Sequence, residues 1–133
     1  RNVRWVSAGH DPVIVYEPVQ GEFSELPGDD IPLGIQGNWH FREGQRDTWC
    51  DGAIMVIGTD GVWEARNEAG DMFGKEALQE VIRRHAHRSA ETICEAVTQA
   101  LDAFRGPTQY RDDVTLVVAK FVPKDEEPGR TQS

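Results

Sequence analysis

The stretch Asp51-Gly52-Ala53-Ile54-Met55-Val56-Ile57-Gly58-Thr59-Asp60-Gly61 decides the reading of the fold. After an Asp-Gly turn signal, residues 53–57 are apolar at every position, too short a run for a helix and without polar alternation. Such a segment reads as a central strand with both faces buried. A second segment of the same character, Val114 to Phe121, follows Arg111-Asp112-Asp113. One strand therefore ends on a carboxylate and the other begins on two.

Upstream, Val3 to Ala8 and Val13 to Tyr16 read as strands around the turn Gly9-His10-Asp11-Pro12, the spacing of a hairpin with a four-residue loop. Gln20-Gly21 turns the chain into Glu22 to Leu26, and Pro27 to Gly37 is too rich in Gly, Pro and Asp for regular structure. Asn38 to Gln45 reads as a modest strand. Downstream the period changes from 2 to 3.6. From Phe73, apolar side chains fall at Leu78, Val81 and Ile82. A second helix places Ile93, Val97, Ala100, Leu101 and Phe104 on one stripe, with Ser89 as N-cap and Gly106-Pro107 as stop. Strands then helices then a strand is a segregated order, so the fold class is α+β with an antiparallel sheet carrying helices on one side. Residues 1–121 form the folded part, and 122–133, polar and rich in breakers, are expected to be a disordered tail.

The chain has 133 residues, 14 Lys plus Arg against 23 Asp plus Glu, and a formal charge of −9. The length fits one domain or a piece of one. An acidic surface repels the phosphate backbone of nucleic acids and anionic headgroups, so neither nucleic acid nor membrane is expected as a partner. No apolar run reaches the roughly 20 residues that span a bilayer, and a cytosolic, cytoplasmic location is expected. Cys50 and Cys94 are two thiols without metal or disulfide spacing. Position 1 is Arg, opening directly on a strand pattern, so a piece of a longer protein is expected.

If the strands 53–59 and 114–121 are antiparallel neighbours, Asp60, Asp112 and Asp113 meet at one edge of the sheet. Like charges held close at the rim of a core need a cation or a proton between them. Oxygen ligands alone select a hard ion such as Mg²⁺ or Mn²⁺. Gly61, without a Cβ, lets backbone approach an ion or its water closely. Taken singly, Asp60-Gly61 is a turn signal and Asp112-Asp113 a solvated strand start; only their joint placement points to a site.

Four separated stretches resemble one family in order. They are Ser7-Ala8-Gly9-His10-Asp11-Pro12, Pro32-Leu33-Gly34-Ile35, Thr59 to Asn67 with Phe73-Gly74, and Arg111 to Val118. The family is the protein phosphatase 2C-like (PPM) enzymes of the RsbU and SpoIIE kind, and the similarity spans about residues 3 to 121. The resemblance implies the C-terminal part of a β-sandwich flanked by helices. It implies hydrolysis of phosphoserine or phosphothreonine on an anti-sigma-factor antagonist of the STAS type, within a partner-switching circuit, often behind a sensor or receiver domain in the same chain. It also implies two Mn²⁺ or Mg²⁺ ions, with Asp60 and Asp112 as ligands, Asp113 a neighbouring or alternative ligand, and Gly61 beside the metal. The family's earlier Asp-Gly and GHG-like motif is absent from these residues, so the expected site is partial. Asp51-Gly52 stands where the family has Gly-Asp, and Gly58 where an aromatic residue is frequent. Missing strands leave edges that favour a homodimer.

Other chemistries fit less well. Ser7 beside His10 has no acid partner in its motif, so a Ser-His-Asp hydrolase is disfavoured. His85 and His87 suit the end of a helix, where a cation meets the dipole. Trp5, Trp39, Trp49 and Trp63 lack a basic groove and read as packing. Against the enzyme stand two alternatives: a non-catalytic module that keeps the fold to bind a regulatory protein, and a domain that a metal merely stabilises.

Overall fold

The computed structural model describes residues 1–28 and 30–123; the expected tail from 124 onward lies outside the described residues. The chain forms β1 (Val3–Val6), β2 (Val13–Glu17), β3 (Glu22–Leu26), β4 (Glu43–Arg46), β5 (Ile54–Gly58), α1 (Asp60–Trp63), α2 (Gly74–His85), α3 (Ala90–Arg105) and β6 (Leu116–Lys120). All pairings between these strands are antiparallel. A four-stranded sheet runs β3-β2-β5-β6, and β1 pairs with β4 in a separate two-stranded ribbon. The fold is α+β, as the segregated order required.

Register explains the core. Ile14 faces Val56, and Tyr16 faces Ile54. Val56 and Gly58 face Val118 and Leu116, so these residues share one face of the sheet. That face meets Leu78 and Ile82 of α2 and Ile93, Val97 and Leu101 of α3 in a single apolar cluster. Each large aliphatic side chain buried this way contributes roughly 1.5–3 kcal/mol. Ser89 caps α3 by accepting a bond from the Thr92 amide at 3.1 Å, and Gly106 ends the helix at φ 60°. Lys120 donates to the carbonyls of Ala86 and Arg88 at 2.7 and 2.8 Å, placing a cation where α2 has ended. His85 lies in the last turn of α2 with Nδ1 2.9 Å from the Val81 carbonyl, the structural role its position indicated.

Three expectations change. The strands on either side of Gly9-His10 do not form a hairpin: β1 pairs with β4, and the local hairpin is β2–β3. The four-residue turn 18–21, against six residues between β1 and β2, sends the chain straight back, with the Gly21 amide donating to the Glu17 carbonyl at 2.8 Å. The strand expected at 38–45 is instead Glu43–Arg46, because Trp39 and Arg42 are held by the buried carboxylate of Asp30. Nor is β5 buried on both faces: Ile57 is 37% exposed and Val117 opposite it 50%. On this second face Trp5 and Val6 of β1 share a cleft with Val13, Leu26 and Ile57. Farther along, Arg46 of β4 pairs with Glu17 of β2 at 2.7 Å, and Trp49 stacks on Phe121.

Ile93, fully buried between helices and sheet, sets a direct test of this core. Ile93→Ala is expected to lower unfolding stability by about 2–5 kcal/mol in urea titration, with little change in the denaturant slope.

Candidate functional site

The site begins with a strand end. Gly58, the last residue of β5, pairs with Leu116 at the start of β6. One residue on, the Thr59 amide donates to the Thr115 carbonyl at 3.1 Å. The Thr59 hydroxyl accepts from the Thr115 amide at 3.1 Å and donates to the Asp113 carbonyl at 3.2 Å. Although Thr59 occupies the N-cap position of α1, its side chain makes no cap bond. It is spent on joining the two segments that carry the acidic residues.

Gly61 completes that junction. A Cβ at this position would lie 2.4 Å from the Asp113 carbonyl oxygen and 3.6 Å from that of Asp112. Only a residue without a side chain allows the backbones to meet this closely. The expected reason for Gly61, proximity to an ion, is thus joined by a plainer one: it is packed beneath the 112–113 backbone. Gly58 also has a use for its missing side chain. The ring of Trp63 sits 3.1 Å from where its Cβ would be, occupying the space beside the strand end.

Asp60 opens α1, which is one turn long and anchored by the Glu64 amide donating to the Asp60 carbonyl at 2.8 Å. Asp60, Asp112 and Asp113 are all exposed. Their backbones converge at one end of the β5–β6 pair, as the sheet order required. Among the described residues, however, no three acidic, His or Cys side chains come close enough together to hold a metal ion. The donor chemistry suits a hard divalent cation, while the number of ligands does not complete a site.

Beside this rim the chain makes a tethered hairpin. The Phe73 amide donates to the Ala65 carbonyl at 2.8 Å, Asn67 accepts from the Asp71 amide at 2.9 Å, and Arg66 donates to the Gly70 carbonyl at 2.5 Å. Across from it, Arg105 at the end of α3 lies 4.2 Å over the ring of Tyr110 and donates to the Thr108 carbonyl. The phenol of Tyr110 is pushed above its usual range, first by burial and then by Asp102, which accepts its hydrogen bond at 2.9 Å. The group remains a proton donor at neutral pH.

The remaining candidates are structural. Ser7 donates weakly to the His10 carbonyl at 3.4 Å, and His10 Nδ1 lies 2.8 Å from the Asp11 carbonyl. Both bonds shape a turn rather than a nucleophile and its base. Thr59 was not singled out by sequence reasoning; a hydroxyl between a buried strand and an aspartate was the available signal.

The family profile of Stage II sporulation protein E (SpoIIE) matches residues 1–122. The chain belongs to the SpoIIE family. It is similar to Protein IcfG of Synechocystis sp. (strain ATCC 27184 / PCC 6803 / Kazusa), with 26% identity over 117 residues covering 87% of this chain and 18% of that protein. Its fold matches the SiaA-PP2C domain of Pseudomonas aeruginosa with a TM-score of 0.75 and 23% identity, over 91% of this chain and 46% of that one. The PP2C phosphatase domain of SpoIIE from Bacillus subtilis, solved with a fragment of its regulatory domain, matches at 0.66 and 15%, over 91% and 34%. The chain thus has the fold of part of a PP2C-like domain and spans less than half the length of these relatives.

Replacing the glycine at the junction tests its geometry without any ligand. Gly61→Ala is expected to cost about 1–3 kcal/mol of unfolding stability in metal-free buffer, since backbone rather than a flexible side-chain end must move. Unchanged stability would show that the 61 and 113 segments separate freely.

Proposed function

We propose that the complete protein is a metal-dependent phosphatase acting on phosphoserine or phosphothreonine in a protein, most simply a phosphorylated anti-sigma-factor antagonist of the STAS type in a cytoplasmic partner-switching circuit. The observation that carries this reading is the Thr59–Asp113–Thr115 bond set, which holds the acidic residues of two distant segments at one rim. Support comes from membership of the SpoIIE family, of which the B. subtilis protein carries a PP2C phosphatase domain. Among its structural relatives, the B. subtilis SpoIIE phosphatase domain was solved from manganese-presoaked material and RsbX in complex with magnesium.

In this reading Asp60 and Asp112 supply carboxylates to Mn²⁺ or Mg²⁺, Asp113 stands next to them, and Gly61 keeps the rim narrow. Further ligands come from parts of the protein beyond these residues. When bound, such ions activate water and neutralise charge on a phosphoryl group. The chain itself has two tasks. Thr59 fixes the separation of the two acidic segments, and α1 presents Asp60 toward solvent, where a phosphorylated segment can approach. No side-chain nucleophile is needed.

The incomplete ligand set among the described residues favours a second reading, a non-catalytic module that binds a regulatory protein through the same fold. Turnover separates them. In the complete native protein, Asp60→Asn is expected to reduce Mn²⁺-dependent hydrolysis of a phosphoserine peptide by at least about 100-fold, the upper end of what loss of even an outer metal partner costs. Its circular dichroism and melting temperature should stay near those of the parent. A parent protein without turnover in saturating Mn²⁺ or Mg²⁺ supports the binding module instead.

A further inference from the structure

Three segments meet at one end of the four-stranded sheet. Val13 pairs with Leu26 and Ile14 with Val56, so β2 begins where β3 and β5 end, and β6 begins there too, opposite Gly58. The turn before β2, the loop after β3 and the acidic rim at residues 60 and 112–113 therefore share that end. The loop between β3 and β4 is the part of it that the rim chemistry does not use.

The base of this loop is locked. The Trp5 indole donates to the Pro27 carbonyl at 2.9 Å, and a Cβ on Gly28 would lie 2.6 Å from the Ser7 hydroxyl oxygen. Gly9, at φ +81°, packs so closely on Pro32 that its Cβ would lie 2.5 Å from the proline ring. The buried carboxylate of Asp30 accepts from the Trp39 indole at 3.3 Å and from the Arg42 amide at 2.7 Å. Asp30 and Arg42 thus close the loop around residues 31–41.

The tip between these anchors has the opposite character. Residues 31–41 contain no Asp, Glu, Lys or Arg, in a chain where 28% of residues are charged. Every residue from 32 to 40 is exposed, with Leu33 74% and Ile35 71% open to solvent. Apolar and aromatic side chains with charge removed are the composition of the centre of a protein interface. Side chains presented from an anchored loop have less freedom to lose on binding. Charge narrows the partner. A phosphorylated protein is anionic, and a surface of formal charge −9 repels it except where, as at this tip, charge is missing.

We propose that Leu33 and Ile35 dock the folded phosphoprotein substrate, taking an apolar surface of it while its phosphorylated residue reaches the acidic rim. The inference rests on the phosphatase reading for the identity of the partner, but the binding is measurable without turnover. A further part of this protein and a second copy of it are the competing occupants.

The test uses the complete native protein and its Leu33→Ser/Ile35→Ser double variant. Val19→Ser is the control, since Val19 is 76% exposed in the turn 18–21 at the far end of the sheet. A phosphorylated STAS-type antagonist protein is titrated calorimetrically in excess chelator, so that it is not consumed. The double variant is expected to weaken binding by about tenfold or more, the size of burying one aliphatic side chain, and the control by less than about twofold. Melting temperatures should stay within about 2 °C of the parent. Binding by the double variant within about twofold of the parent overturns the proposal. So does equal weakening by Val19→Ser, or a parent that does not bind. A melting temperature lowered by more than about 5 °C in the double variant shows a tip already covered by the protein itself. A dimer that the double variant alone dissolves shows a second copy on the tip, and either result overturns the proposal. Tip-dependent binding without hydrolysis in saturating Mn²⁺ sustains the docking surface while sinking the phosphatase reading. Hydrolysis with tip-independent binding does the reverse.

Discussion

The hydroxyl of Thr59 is the constraint on which the site depends. By accepting from the Thr115 amide and donating to the Asp113 carbonyl, it continues the β5–β6 ladder past the point where regular pairing ends. Thr59 lies 54 and 56 positions before these two partners, so the bonds close a long loop around α1, α2 and α3. The core beneath meets much of the entropic cost of that closure, because Val56, Leu116 and Val118 pack against the same helices. Gly61 then lets the segments meet at backbone contact. Acidic side chains on both sides of such a junction gain nothing from proximity to one another. In the proposed function a divalent cation held between them would offset that repulsion.

Much of this was legible in the residues. The helices announced themselves through Leu78 and Ile82 and through Ile93, Val97 and Leu101, all of which are buried. Ser89 and Gly106 marked the limits of α3. The paired strands β5 and β6 followed from two short apolar runs, and their antiparallel order from the segregation of strands and helices. From that order alone the meeting of residues 60 and 113 could be anticipated at the level of backbone, though not which side chains ligate anything.

What escaped the sequence did so for physical reasons. The partner of β1 is Glu-Gly-Gln-Arg, a strand with no apolar signature whose pairing is set by distant geometry. The four residues of α1 are too few to show a helical period. Asp30 looked like one more loop carboxylate, yet it is buried and gathers Trp39 and the Arg42 amide around itself. An apolar run cannot say whether anything covers its second face. Ile57 and Val117 have the composition of a buried layer, yet both are exposed, with an open cleft rather than a packed layer beside Ile57.

The central claim is that one rim, built from residues 60 and 112–113, is where this protein meets a divalent cation. Anomalous scattering from Mn²⁺ in crystals of the complete protein tests it most directly. The account predicts a manganese peak within coordinating reach of the carboxylates of Asp60 and Asp112. Manganese bound elsewhere, with both of these side chains left in solvent, contradicts it.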